Sequence, residues 1–198
     1  MSQIANLTGH TEDAQNYTTI AHDYITKWQD LGIAKTQTPP HTTLQYGNET
    51  THGMYHPLRL SFLLVLPLLL TITEGVLYNI YNDALLSLDL VPQSVYDMQS
   101  SFYPTVMNTY GAPLDTRHDY TKVDWLVFAA AVASQETKTL FIENLGKWLG
   151  ETGMDRAFTD LYDTKTGLDP PGLVFTARPV IGGVFAMLAL PGAVSSRA

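Results

Sequence analysis

Apolar residues recur at three- and four-residue spacing along most of this chain, and polar, turn-forming stretches separate the runs. That rhythm restricts the fold to packed helices joined by loops, because strands need a period of two. The spacing predicts a helix over 11–32. Thr11 would cap it, Glu12 and Asp13 occupy its first turn, and Gly32 ends it. Its apolar stripe is Ala14, Tyr17, Ala21, Tyr24, Ile25 and Trp28. A loop over 33–53 carries Pro39-Pro40, His41, Tyr46 and His52. Further helices are predicted over 76–87, 93–109, 121–134, 136–150 and 180–190. Pro92 opens the second of these. Thr121 caps the third, with Asp124 completing a capping-box-like pattern. Leu126 to Ala133 is apolar almost all round, so that helix should be buried on most sides. Residues 151–177 read as a long loop. The fold class is all-α, a stack of helical hairpins.

The totals exclude several functions. A chain of 198 residues forms one domain with a real core. Its net charge is −8 and no Lys/Arg cluster appears, which excludes a phosphate-binding surface for nucleic acid. Without cysteine there is no disulfide, no thiolate nucleophile and no Cys-based metal site. His10, His22, His41, His52 and His118 show no ligand spacing, so no metal is expected, and His56 lies in the apolar stretch 54–74. Gly182-Gly183 lacks the lysine and the preceding strand of a phosphate loop. No cofactor is expected. Sequons at Asn6, Asn16 and Asn48 lean towards a secreted glycoprotein. The opening MSQIANLTGHTEDAQ has neither the basic nor the apolar region of a signal peptide.

Residues 54–74, MYHPLRLSFLLVLPLLLTITE, break the pattern. The apolar span between Arg59 and Glu74 is 14 residues long and contains Pro67, whereas a membrane helix needs about 20. A membrane span is therefore a minor reading, and a buried core helix is a second. The favoured third is a translated, retained intron. Gly53-Met54-Tyr55 can be encoded with a GTATGT donor, Leu70-Thr71 with a CTAAC branch sequence, and Thr73-Glu74 with an ACAG acceptor. An apolar patch of this size on a loop is an aggregation hazard.

The chemistry concentrates in LDTRHDYTKVDW, Leu114 to Trp125. Six ionisable groups stand there in a chain that is 15% charged. Charges gathered between two apolar segments mark a candidate site more often than a solvated face does. A second charged stretch, 155–165, also follows a helix. In a closed ring of hairpins, loops at one end converge, which would bring the two acidic stretches together. Asp115 and Asp124 are the first acid/base candidates, with Asp160 and Asp163 the second. Each has a structural alternative: Asp124 caps its helix, and Asp160 and Asp163 cap a turn.

Several long strings resemble the six-hairpin domain of the fungal secreted glutaminase A family. They are LTGHTEDAQNYTTIAHDYITKWQ, HTTLQYG, LVPQSVYDMQSSFYPTVMNTYGAPLDTRHDYTKVDWLVFAAAVAS and RAFTDLYDTKTG…FTARPVIGGVFAMLAL. The resemblance assigns 1–53 and 75–190 to the C-terminal part of a partial (α/α)6 toroid. Residues 54–74 then form an insert and 191–198 a tail. It implies hydrolysis of L-glutamine to L-glutamate and ammonia, an extracellular location, and a missing N-terminal part of the same fold as partner. On that reading Arg117 and Arg178 hold a substrate carboxylate. Lys122 tunes a neighbouring carboxylate or binds substrate charge, and Tyr120, Trp125 and Tyr162 wall the pocket. The alternative is a glycoside-hydrolase-like toroid using opposed carboxylates, with Asp115 and Asp160 as the pair. A piece of a toroid is expected to be of low stability and inactive alone.

Overall fold

Why α5, Val123–Val132, lies at the centre follows from its sequence: seven of its ten residues are buried, and it has almost no polar face. The computed structural model describes residues 1–52 and 77–191. Around α5 the chain is mainly helical: α1 (Ser2–Leu7), α2 (Thr11–Gly32), α3 (Tyr81–Leu85), α4 (Gln93–Phe102), α6 (Gln135–Glu151) and α7 (Ala186–Ala189). Among the described residues, three 3-10 segments, Tyr78–Ile80, Tyr103–Val106 and Pro179–Phe185, accompany these helices. The readings of 54–74, including membrane association through 58–73, and of the tail beyond Pro191 lie outside the described residues. Among the described residues no helix is long and apolar enough to cross a membrane.

Two helical hairpins are evident. In the first, α1 packs on α2 across a turn at Gly9 (φ 81), and the Ser2 hydroxyl donates to the Ala14 carbonyl at 2.9 Å. In the second, α5 packs on α6 across Ala133-Ser134. The Ser134 hydroxyl caps α6 by accepting from the Thr137 amide. Ser100 of α4 ties this corner down: its hydroxyl accepts from the Ser134 amide and its carbonyl from the Thr137 hydroxyl. The main core joins Leu126 and Ala130 of α5 to Phe141 and Trp148 of α6 and to Tyr162, all at or near zero exposure. A smaller cluster, Leu77, Ile80 and Val95, packs against Trp28 of α2.

The all-helical expectation needs correction at four places. Short antiparallel ribbons join β1 (Ile33–Ala34) to β2 (His41–Thr42), and β3 (Tyr120–Lys122) to β4 (Leu161–Asp163). Thr121 is therefore not a helix cap. It pairs with Tyr162 in the ribbon, and α5 starts two residues later with no side-chain cap. The helix expected over 93–109 stops at Phe102 and tightens into a 3-10 turn, since Pro104 has no amide hydrogen to continue it. The helix expected over 76–87 is shorter still. It ends before Ser87 and Asp89, whose φ values of 48 and 53 are incompatible with a right-handed helix. The last predicted helix is a 3-10 segment for most of its length.

Candidate active site

The β3–β4 ribbon sets Tyr120 opposite Asp163, Thr121 opposite Tyr162 and Lys122 opposite Leu161. The two charged stretches thus meet by backbone pairing. On one side of the ribbon the chain from Leu114 to Tyr120 folds back on itself, with the Leu114 amide donating to the Tyr120 carbonyl at 2.9 Å. Asp115, 2% exposed, closes this turn. Its Oδ1 accepts from the Arg117 amide at 2.7 Å and from Nε at 3.0 Å, and its Oδ2 accepts from Nη2 at 2.9 Å. This is the fork geometry in which arginine and a carboxylate bind most strongly. Asp119 pairs with Lys165 at 2.8 Å, and its carbonyl accepts from the amide and hydroxyl of Thr164. Thr164, wholly buried, also accepts from Asn108 Nδ2 at 2.8 Å and receives the Tyr110 amide on its carbonyl. A single threonine so links three loops.

Between these loops lies a cavity of about 300 Å³. Its polar lining is His52, Asn108, Asp115, Thr116, Arg117, His118 and Asp119. His52 belongs to an aromatic group in which His41 stacks on Phe102 at 4.1 Å and His52 meets the same ring edge-on at 5.4 Å. Burial first, then the charge of His41, pushes the His52 imidazole down to about 4, against a smaller upward pull from Asp115. His52 is thus unprotonated at neutral pH. The sign for stability follows. Because the folded value lies below the unfolded one of about 6.5, acidification protonates the unfolded chain first. Stability is complete above pH 6.5 and falls as the pH drops towards 4, by about 3 kcal/mol for a shift of this size. Urea unfolding of wild type and His52→Gln at pH 7.5 and 4.5 tests this: the wild type should lose far more than the variant.

On the other side of the ribbon is a buried ionic cluster. Lys122 Nζ donates to Asp124 Oδ2 at 2.9 Å and stands 3.4 Å from Asp160 Oδ2. Arg178 Nε stands 3.3 Å from Asp160 Oδ1. Side-chain exposure is 9% for Lys122, 5% for Asp124 and zero for Asp160, whereas Arg178 is 37% exposed. Two carboxylates and two cations leave no formal charge. Trp125 lies beneath Lys122 at 4.7 Å and stacks on Tyr78 at 4.1 Å. Glycine makes the cluster possible: a Cβ on Gly183 would stand 2.6 Å from the Asp124 Cβ. That close approach lets the segment carrying Arg178 lie against the start of α5.

The sequence candidates are therefore divided between two environments. Asp115 and Arg117 line the cavity. Asp124, Lys122, Asp160 and Arg178 form the ionic cluster, and Asp124 turns to Lys122 instead of capping α5. Asp163 is a turn residue: its Oδ1 accepts from the Lys165 and Thr166 amides. Tyr162 is not a pocket wall, because it is wholly buried, stacked on Trp148 at 4.0 Å, with its hydroxyl donating to the Tyr110 carbonyl. Tyr120 stacks on His118 at 4.7 Å. Asp115 and Asp160 stand in separate ion pairs, Asp115 with Arg117 and Asp160 with Lys122 and Arg178. Asn6 and Asn16 are exposed, and Asn48 is half-buried with Oδ1 accepting from the Thr50 hydroxyl. Among the described residues no group of three or more His, Asp or Glu is placed to hold a metal. Sequence reasoning passed over His52, Asn108 and Thr164, which carry no motif and reach the site only through long-range contacts.

A mainly helical scaffold of hairpins, with its charged loops gathered on one ribbon, defines the class. The chain belongs to the family described as the Glutaminase A six helical-hairpin domain, whose model matches residues 1–72 and 70–188. It is 53% identical over 190 residues to Glutaminase A of Aspergillus oryzae, covering 96% of this chain and 24% of that protein. It is 35% identical over 212 residues to a probable glutaminase of Arthroderma benhamiae, covering all of this chain and 23% of that protein. The chain thus spans about a quarter of the length of the curated relatives it matches. No solved structure matches it.

Proposed function

We propose that this chain supplies the substrate pocket of a glutaminase-type amidohydrolase, acting within a larger six-hairpin toroid. The observation that carries the reading is the cavity at the Asp115–Arg117 pair. Asp115, Arg117 and Asp119 place both signs of charge in its wall, His52 adds none, and Lys165 pairs with Asp119 from outside the lining. A wall holding both signs suits a zwitterionic amino-acid amide. At about 300 Å³ the cavity is at the small end of ligand sites, as a single amino acid requires.

Roles follow from the chemistry of each group. Asp115 engages Nε and Nη2 of Arg117 and so fixes the guanidinium plane, leaving Nη1 for the substrate carboxylate. The unprotonated His52 imidazole lines the pocket and can accept a hydrogen bond from the attacking water. Water adds to the amide carbon, and its proton passes to the departing ammonia as the carbon–nitrogen bond breaks. The ionic cluster of Lys122, Asp124, Asp160 and Arg178 holds the ribbon that presents the pocket. The same family reading makes the protein extracellular, with Asn6, Asn16 and Asn48 as glycan acceptors, and 54–74 an insert in the domain.

The test is a chimera in which this chain, with and without 54–74, replaces the matching quarter of the Aspergillus oryzae relative. Ammonia release from L-glutamine is measured. Asp115→Asn is expected to lower kcat/KM by about 100-fold, and Tyr17→Phe to leave it unchanged. Equal effects of the two, or a folded chimera without activity, overturn the assignment.

A further inference from the structure

The apolar stripe of α2 is only half covered. At about 100° per residue, Tyr17, Ile20, Tyr24 and Leu31 fall within an arc of about 60° on one side of this helix. All four are exposed, at 39%, 41%, 67% and 57%. Ala14, Ala21, Ile25 and Trp28 fill the adjoining part of the stripe, and these are buried or half-buried against the rest of the chain. A helix of 22 residues with only Ala14 and Gly32 fully buried has little to hold it in place. Scattered exposed apolar residues need no explanation, but four aligned over four turns form a contact face.

We infer that this face docks a helical hairpin from the upstream part of a glutaminase-family polypeptide. Two observations select that occupant. The chain covers only 24% of its Aspergillus oryzae relative, so most of the family's polypeptide lies outside it. The family's domain is described by six helical hairpins, and helices of neighbouring hairpins bury their stripes on one another. The face is wide enough for one helix; Asp23 and Asp30 fall outside its arc, and Asp13 shares its direction only at the first turn of α2, before Tyr17. The inference rests on family membership and is independent of the pocket chemistry.

The experiment uses this whole chain and a second polypeptide, the remaining three-quarters of the Aspergillus oryzae relative, produced separately and mixed. Association is followed by analytical ultracentrifugation and titration calorimetry. A one-to-one complex is expected. Tyr24→Lys should weaken it at least about tenfold, as loss of an interface anchor does. Asp23→Lys, one residue away and off the face, should not. Circular dichroism separates misfolding from lost binding, and Ile20→Ser provides a milder second variant. Failure to associate overturns the inference, as does a complex indifferent to Tyr24→Lys and Ile20→Ser. Self-association of the chain through the same face, abolished by Tyr24→Lys in the absence of the second polypeptide, also overturns it in favour of a homodimer. Liposome binding abolished by that variant would assign the face to lipid instead. None of these outcomes depends on ammonia release, so failure here is distinct from failure of the glutaminase reading.

Discussion

Replacing Lys122 by methionine is expected to lower folding stability by about 3–5 kcal/mol at neutral pH, the usual cost of breaking a buried ion pair from one side. Charge arithmetic within the cluster singles this residue out. Removing Asp160 leaves Lys122 matched by Asp124, and frees an arginine that is 37% exposed and can turn to water. Removing Lys122 leaves two buried carboxylates facing each other with Arg178 as their one remaining cation. Urea unfolding of Lys122→Met, Asp160→Asn and wild type at pH 7 should therefore rank the lysine variant lowest. A ranking with Asp160→Asn lowest contradicts this description of the cluster.

Trp148→Ala is expected to cost a similar amount, about 3–5 kcal/mol, for a different reason. The indole is 1% exposed, stacks on Tyr162 at 4.0 Å and meets Phe158 edge-on. Its Nε1 donates to the Gly167 carbonyl at 3.0 Å. Gly167 has a φ of 73, and a Cβ there would press on Tyr110 and Trp148, so the loop fits the indole only as glycine. Truncation leaves a cavity and removes one of the two hydrogen bonds to the Gly167 carbonyl, which keeps that from the Thr152 hydroxyl at 2.8 Å. Trp148→Phe restores much of the packing but not the hydrogen bond. It should recover more than half of the loss in chemical denaturation; a phenylalanine variant no better than alanine contradicts the packing argument.

The sequence revealed the helices whose apolar pattern is unambiguous. α2, α5 and α6 begin and end within two residues of where their spacing and stop signals place them. Elements of three residues or fewer were invisible, because β3 and β4 are stabilised by each other across forty residues and not by any local preference. The same fact explains the partial legibility of the site. Composition marked Leu114 to Trp125 correctly as a place where charge concentrates. It did not show that the stretch divides at the ribbon, with Asp115 and Arg117 on the cavity and Lys122 and Asp124 in the ionic cluster. Asp163 and Asp160 lie three residues apart and differ completely in role, one bonding its own turn and the other buried between cations. Only pairing register decides such cases.

The ribbon also has a kinetic meaning. Its strands are joined through residues 123–160, and most of that connection is the α5–α6 hairpin. Closing a flexible loop of this length carries an entropic penalty that grows with the number of free residues. A preformed helical hairpin removes most of those residues from the count and delivers the two strands to the same end. Pocket assembly should therefore wait on the α5–α6 hairpin during refolding. Substitutions inside that hairpin will slow formation of the site, whereas those confined to β4 will chiefly speed its loss.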